Sequence, residues 1–352
     1  MSEAAVEKRR LFGCTQAELI AVAREAGAEA FRGRQLAEWL YKRRASAIEG
    51  MTNLPKAFRE ALAERFEVGV EEPRKVAVSA DGTKKYLYAA HGGRFVEAAW
   101  IPEPDRSTLC VSTQVGCKMG CLFCMTAKQG FQTQLTAGEI LNQYRSLPEF
   151  DEVSNLVYMG MGEPLDNLEA VLRSLEILTA DWGYAMSPRR ITVSTVGLIP
   201  AMREYLARSA CHLAVSLHTP FEEERRRLMP VETVYPVKDV LAAIREHDIE
   251  RQRRVSFEYI LFKGLNDSPR HVKELARVLN GIRCRVNLIR FHPVPGVPLE
   301  PSDEETVEAF LVALNEKGIR TTVRRSRGLD ISAACGMLST RALVKPAAGA
   351  EY

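Results

Sequence analysis

Cys117, Cys121 and Cys124 lie in one glycine-containing loop, Val115-Gly116-Cys117-Lys118-Met119-Gly120-Cys121-Leu122-Phe123-Cys124. Their spacing is Cys-x3-Cys-x2-Cys. Three thiolates converging from one loop suit a soft metal centre. A four-iron cluster needs four ligands, and three cysteines leave the last iron open to a small molecule. The alternative is a structural zinc loop. Zinc sites usually add a second cysteine pair or histidines, yet no histidine occurs between His91 and His212 and no other close cysteine pair exists. Two further cysteines stand in chemically suggestive settings. Cys110 lies seven residues before Cys117, and Cys335 sits among small residues in Ser332-Ala333-Ala334-Cys335-Gly336, as an attacking or attacked thiol needs.

The elements that must position these residues are periodic. The first is a helical module, predicted over 15–68. Thr15-Gln16-Ala17-Glu18 forms a capping box, Phe31, Leu36, Trp39 and Leu40 are expected on one face, and a helix enters at Pro55. Residues 70–101 then alternate with period two around the turns Asp81-Gly82 and Gly92-Gly93, predicting an antiparallel extension. From residue 108 strands and helices alternate. Strands are expected at 108–112, 156–160, 190–196, 212–218, 255–261, 286–291 and 320–324. Helices are expected at 137–146, 168–180, 200–208, 237–248, 271–279 and 304–317.

Repeated βα units imply a parallel sheet flanked by helices. About six units are too few for a closed eight-fold barrel, so the expected fold is α/β: a partial (βα)6 barrel, a small N-terminal helical domain and a β-hairpin extension. The corresponding domains are 1–70, 71–102 and 103–340, with a tail over 341–352. Cysteines that follow the first parallel strand sit at the strand C-terminal rim, where such folds keep their chemistry.

The 352 residues are 46% hydrophobic and 26% charged, which suits a soluble globular chain. The first thirteen residues lack an apolar segment of the secretory type, and no apolar run reaches membrane-spanning length. A cytoplasmic enzyme is expected, with cysteines used for metal or catalysis rather than disulfides. The net charge of +3 announces no nucleic-acid partner. Basic runs at 42–44, 225–227, 251–254 and 324–327 are each expected to be solvated faces that together permit an RNA surface. Cys14, Cys211 and Cys284 are assigned to packing.

The cysteine loop, with Phe123 before its last cysteine, resembles the signature of the radical S-adenosylmethionine (SAM) enzymes. Further stretches narrow the resemblance: Cys110-Val-Ser-Thr-Gln-Val-Gly-Cys117, Cys124-Met-Thr-Ala-Lys-Gln-Gly-Phe131, Met159-Gly-Met-Gly-Glu-Pro164, Arg190-Ile-Thr-Val-Ser-Thr-Val-Gly197, Ala214-Val-Ser-Leu-His218 and Ile331-Ser-Ala-Ala-Cys-Gly336. Together they are similar to the radical-SAM RNA adenine methyltransferases of the RlmN and Cfr types, from about residue 30 to residue 338. The resemblance implies a 4Fe-4S cluster on Cys117, Cys121 and Cys124, and SAM contacts from Gly162, Glu163, Ser194, Ser216, Leu217 and His218. His292 stands where the family pattern has an asparagine, and is carried over as a further SAM contact.

It also implies a ping-pong reaction that uses two SAM per turnover. Cys335 becomes S-methylated, Glu97 is the general base, and Cys110 forms a transient disulfide with Cys335. The implied substrate is an adenine of 23S ribosomal RNA, and of transfer RNA, methylated at C2. The C8 reaction of the Cfr type and a zinc-stabilised RNA-binding module are the alternatives. A cellular electron donor is implied, a membrane is not, and a monomer is expected.

Overall fold

The computed structural model describes residues 8–247 and 255–340. The basic run 251–254, the end of the helix expected at 237–248 and the tail from 341 lie outside the described residues. The chain divides into two compact units, Met1–Glu72 with Leu135–Phe150 and Glu169–Ser187, and Pro73–Gln134 with Asp151–Leu168 and Pro188–Tyr352.

The first unit is helical. Gln16–Glu25 starts at Thr15, whose hydroxyl accepts from the Glu18 amide while the Glu18 carboxylate accepts from the Thr15 amide. The helix Ala30–Ala37 packs on it through Gly33, where a Cβ would lie 2.4 Å from the Ile20 Cα. Leu36 and Leu40 are buried and Trp39 is half-buried, but Phe31 is 42% exposed beneath the Arg32 guanidinium. The expected shared face fails there because residues five apart differ by about 140° around a helix. A further helix, Lys56–Arg65, follows Pro55. Ala137–Arg145 and nearly all of Leu168–Thr179 also belong to this unit, whose centre gathers Tyr41, Tyr144, Trp182 and Tyr184.

The second unit is one ten-stranded sheet. Its strands are β1 (Lys75–Val78), β2 (Lys84–Ala90), β3 (Arg94–Glu103), β4 (Arg106–Cys110), β5 (Asn155–Tyr158), β6 (Ile191–Thr195), β7 (His212–Ser216), β8 (Val255–Leu261), β9 (Cys284–Arg290) and β10 (Thr321–Val323). Spatial order follows chain order. β1 to β4 form an antiparallel meander, and β4 to β10 are parallel. A helix lies in each crossover between parallel strands, giving six βα units, as the alternation predicts. All seven residues of β8 are buried, as a parallel strand covered on both faces requires.

The sheet curls. A flat sheet would put β5 and β10 about 24 Å apart at ~4.8 Å per strand, yet the Arg324 guanidinium just beyond β10 lies 3.2 Å from the Met159 sulfur just beyond β5. An open-sided barrel satisfies that contact.

One helix in this unit has no apolar period. Glu222–Leu228 reads Glu-Glu-Glu-Arg-Arg-Arg-Leu, and Arg225 is fully buried, not solvated. It pairs with buried Glu232 and donates to the carbonyls of Val196 (2.8 Å), Ser216 (3.0 Å) and Leu217 (3.3 Å). The expectation of a solvated face at 225–227 is therefore corrected at Arg225, whose charge is spent tying together the ends of β6 and β7.

Candidate active site

The C-terminal ends of the parallel strands surround a cavity of about 690 Å3. Cys110, Cys117, Cys121, Cys124, Gly162, Glu163, Ser194, Ser216, His218, His292 and Cys335 all line it. Leu217 and Glu97 are not among its lining residues. Leu217 is fully buried behind the rim, with its carbonyl on Arg225.

The cysteine loop is shaped by close backbone approaches. Its start is pinned by the two-residue pairing of Gln114–Val115 with Thr133–Gln134. Gly116 has φ +73°, and a Cβ there would lie 1.7 Å from the Gly130 carbonyl oxygen. Gly116→Ala is expected to displace the loop at more than about 2 kcal/mol. Iron and sulfide content after reconstitution should fall well below wild type while circular dichroism stays unchanged; wild-type iron content would refute the constraint. Further along, the Leu122 amide donates to the Leu228 carbonyl (2.9 Å) and the Met125 amide to the Gly336 carbonyl (2.8 Å). The second contact joins the cysteine loop to the segment carrying Cys335.

The three thiols lie within electrostatic reach of one another. Burial pushes Cys117 up to about 12 and Cys121 well above its ordinary value. Such thiols stay protonated until a metal displaces their protons. No three His, Cys, Asp or Glu side chains among the described residues converge on a single ion. Ligands of a four-iron cluster bind separate irons and stand further apart than ligands of one zinc. Three soft donors from one loop, Cys117 and Cys121 buried and Cys124 half-buried, line a roomy cavity and fit a cluster with one open corner.

Alongside the segment that enters the loop, Met159 to Pro164 turns sharply after β5, with the Gly160 amide donating to the Val111 carbonyl and the Thr113 amide to the Met161 carbonyl. A Cβ on Gly160 would lie 2.7 Å from both the Ser112 hydroxyl and the Val111 carbonyl, so glycine allows the ends of these neighbouring strands to approach closely. Glu163 is 3% exposed, and its carboxylate accepts from the amides of Leu165 (3.1 Å) and Val196 (3.0 Å). Burial raises its pKa to about 7, against hydrogen bonds from Thr195 and Val196 that pull it down.

The folded value lies above the unfolded one. The stabilising effect of the neutral acid is therefore complete below about pH 4.5 and lost as pH rises through about 7. The fall is about 3 kcal/mol. Urea denaturation of cluster-free protein should show it in wild type, and Glu163→Gln should lack that part of the slope; equal slopes would sink the assignment.

His218 has φ +58° and is 3% exposed. Its Nδ1 accepts from the Ile260 amide at 3.0 Å, leaving Nε2 to carry the hydrogen. Burial, then the nearby Arg225 charge, lower its pKa to about 3, so the ring is neutral. Phe123 meets it edge-on at 4.8 Å. Burial likewise lowers the pKa of His292.

Cys335 is the one exposed cysteine among those described, and Cys110 is half-buried. Burial, then the Cys335 sulfur, push Cys110 up to about 12, and Arg324 pulls against both. Glu97 is 8% exposed. Its carboxylate pairs with Lys85 at 2.9 Å and accepts from the Ser339 amide at 2.9 Å, four residues beyond Cys335. The loop before Cys335 is held by the β1–β2 hairpin: Asp81 accepts from the Gly328 amide (3.0 Å), and Asp330 accepts from Ser79 (2.6 Å).

Sequence reasoning missed Arg324, Met159 and Glu258, which also line the cavity. Arg324 was hidden in a basic run. Glu258 left a signal, as the lone acid within the apolar strand Val-Ser-Phe-Glu-Tyr-Ile-Leu.

A curled parallel sheet with a three-cysteine loop after its first parallel strand defines a radical SAM protein, and the superfamily model matches residues 111–277. The model of the ribosomal RNA large subunit methyltransferase N-terminal domain matches residues 10–68. A probable dual-specificity RNA methyltransferase RlmN of Parabacteroides distasonis is 56% identical over 95% of this chain and 98% of its own length. The dual-specificity RNA methyltransferase RlmN of Nitratiruptor sp. is 43% identical over 88% of this chain and 93% of its own. The crystal structure of a radical SAM methyltransferase from Sphaerobacter thermophilus superposes with a TM-score of 0.87 at 40% identity, covering 94% of this chain and 99% of that one. The chain belongs to the RlmN family of radical SAM methyltransferases. Membership brings a 4Fe-4S cluster and SAM as cofactors. No helix among the described residues is long and apolar enough to cross a membrane.

Proposed function

We propose that the protein methylates C2 of an adenine in 23S ribosomal RNA, and in transfer RNA, through a methyl group carried on Cys335. The supporting observation is that Cys110 and Cys335, remote in sequence, line one cavity with the three-cysteine loop. C2 lies between two ring nitrogens and is electron-poor, so it does not attack the electrophilic methyl of SAM. Bound cluster and SAM supply one electron and a radical able to remove a hydrogen from a methyl group.

The chain's own residues do the rest. Cys117, Cys121 and Cys124 hold the cluster, and Gly162, Glu163, Ser194, Ser216, His218 and His292 surround SAM, with Glu163 receiving its ammonium and Leu217 backing the Ser216–His218 turn from behind the rim. Cys335 attacks the methyl of a first SAM as thiolate, giving a thioether. After a second SAM has been spent on hydrogen removal, the sulfur-bound carbon adds to the adenine. Glu97 takes the ring proton. The hydrogen bond from the Ser339 amide must open for this, which a shift of the 334–340 segment would allow. Cys110 attacks the Cys335 sulfur, the carbon–sulfur bond breaks with its electron pair left on carbon, and that carbon takes a proton to become the methyl of the released RNA; the unpaired electron left by the addition would return to the bound cluster. A cellular electron donor reduces the disulfide that remains.

The adenine must leave its stack, which favours loops and unpaired RNA. A cytoplasmic location, where these RNAs occur, and a monomeric state are part of the same reading. Digesting modified RNA and weighing the nucleosides tests the choice of carbon. 2-Methyladenosine is expected, and 8-methyladenosine would overturn it.

A further inference from the structure

Both sulfur steps proposed above need a thiolate, yet none of the residues assigned there supplies a cation to the two sulfurs. One is present. Arg324 follows β10, and its guanidinium is tethered from two other strands, 3.2 Å from the Met159 sulfur and 3.4 Å from a Glu258 carboxylate oxygen. Its amide donates to the Leu288 carbonyl at 2.8 Å, fixing the start of the side chain. Glu258, 3% exposed, is itself held by Asn287 (2.7 Å) and Ser256 (3.2 Å). Arg324, Cys110 and Cys335 line the same cavity. Burial works against the guanidinium charge, but Cys335, Glu258, Cys110 and Glu103 outweigh it and hold the pKa above the usual value. Arg325 and Arg327 are further charges on the cavity wall.

We propose that Arg324 is a positioning residue for both sulfur steps, with its guanidinium holding first the Cys335 thiolate and then the Cys110 thiolate in attacking form, and Glu258 limiting that field. This deepens the methyl-carrier reading and rests on it. In the first step the Cys335 sulfur gains a bond to carbon as the methyl–sulfonium bond breaks. The thiolate charge disappears, and S-adenosylhomocysteine leaves neutral at sulfur. The guanidinium then faces one remaining thiol, that of Cys110. A single permanent cation thus serves two nucleophiles in order, because methylation of the first removes its claim. Arginine suits this role because it stays charged when buried, and its fork keeps contact with Glu258 while facing sulfur.

The test reads the thiol directly. Full-length, iron–sulfide-reconstituted protein without SAM is treated with iodoacetamide across a pH series, and carbamidomethylation of unmethylated Cys335 is quantified on its peptide by mass spectrometry. Arg324→Gln is expected to raise the midpoint pH by about one unit or more, and Arg324→Lys to restore most of the shift. Glu258→Gln is expected to move the midpoint the opposite way, downward, because it removes the competing carboxylate. A purely structural role would loosen the site in both variants and move both midpoints alike. Unchanged midpoints, or shifts of the same sign for Arg324→Gln and Glu258→Gln, would overturn the proposal. Should Arg324→Gln fail to fold, the Arg324→Lys and Glu258→Gln midpoints decide it. Loss of methyl transfer plays no part in this readout, so failure here is distinct from failure of the methyl-carrier reading, which retained turnover in Cys335→Ala would show.

Discussion

Cys335→Ala protein, reconstituted anaerobically with iron and sulfide, should be as brown as wild type and transfer no methyl to RNA. The colour should persist because the substitution removes only an exposed sulfur. The contacts that seat its segment are made by its neighbours: the Gly336 carbonyl accepts from the Met125 amide, and the Leu338 carbonyl from the Thr126 hydroxyl at 2.7 Å. None of them needs the Cys335 side chain. Activity should vanish completely because no other route delivers carbon to an electron-poor ring position. A second exposed cysteine that could stand in is absent among the described residues. Parallel assays of cluster absorbance and of labelled methyl in RNA check both halves. Retained turnover would refute the covalent role.

Cys110→Ala should fail later. Cys110 ends β4 and pairs in register with Ala99 and Val157, so alanine keeps the strand and costs about 1 kcal/mol of packing at most. Cys335 should still accept a methyl group and the adenine should still be attacked. Release should stop, because no thiol remains to take over the Cys335 sulfur. The expected result is an RNA-linked protein band that survives denaturation, stoichiometric with enzyme, in place of multiple turnovers. Catalytic turnover without such a band would remove Cys110 from the release step.

How much of this could be read in advance depended on what kind of force positions each residue. The βα alternation was legible because each strand is a short apolar run and each helix carries an apolar stripe; β4 to β10 fall within two residues of their expected ends. Glu222–Leu228 was not, because its buried side is an ion pair, and a hydrophobic period cannot report a buried arginine. The same limit misassigned Phe31, where a count of apolar residues took the place of an angle. In the site, spacing alone singled out Cys117, Cys121 and Cys124, since three metal ligands can share one loop. That Cys110 and Cys335 line one cavity depends on the curl of the whole sheet and on the hairpin contacts of Asp81 and Asp330, which no local window contains. Arg324 looked like one of three surface charges in the run 324–327. Only the fold shows that Arg324 is tethered to Met159 and Glu258 at the cavity that Cys110 and Cys335 line.

Peptide mass spectrometry of protein purified under anaerobic conditions is the most direct measurement. The expected result is a methyl group on the peptide containing Cys335 and on no peptide containing another cysteine, replaced by a labelled methyl when RNA, reductant and methyl-labelled SAM are supplied together. Protein that methylates RNA while its Cys335 never carries a methyl group, at any stage of turnover, would contradict a sulfur-borne carbon.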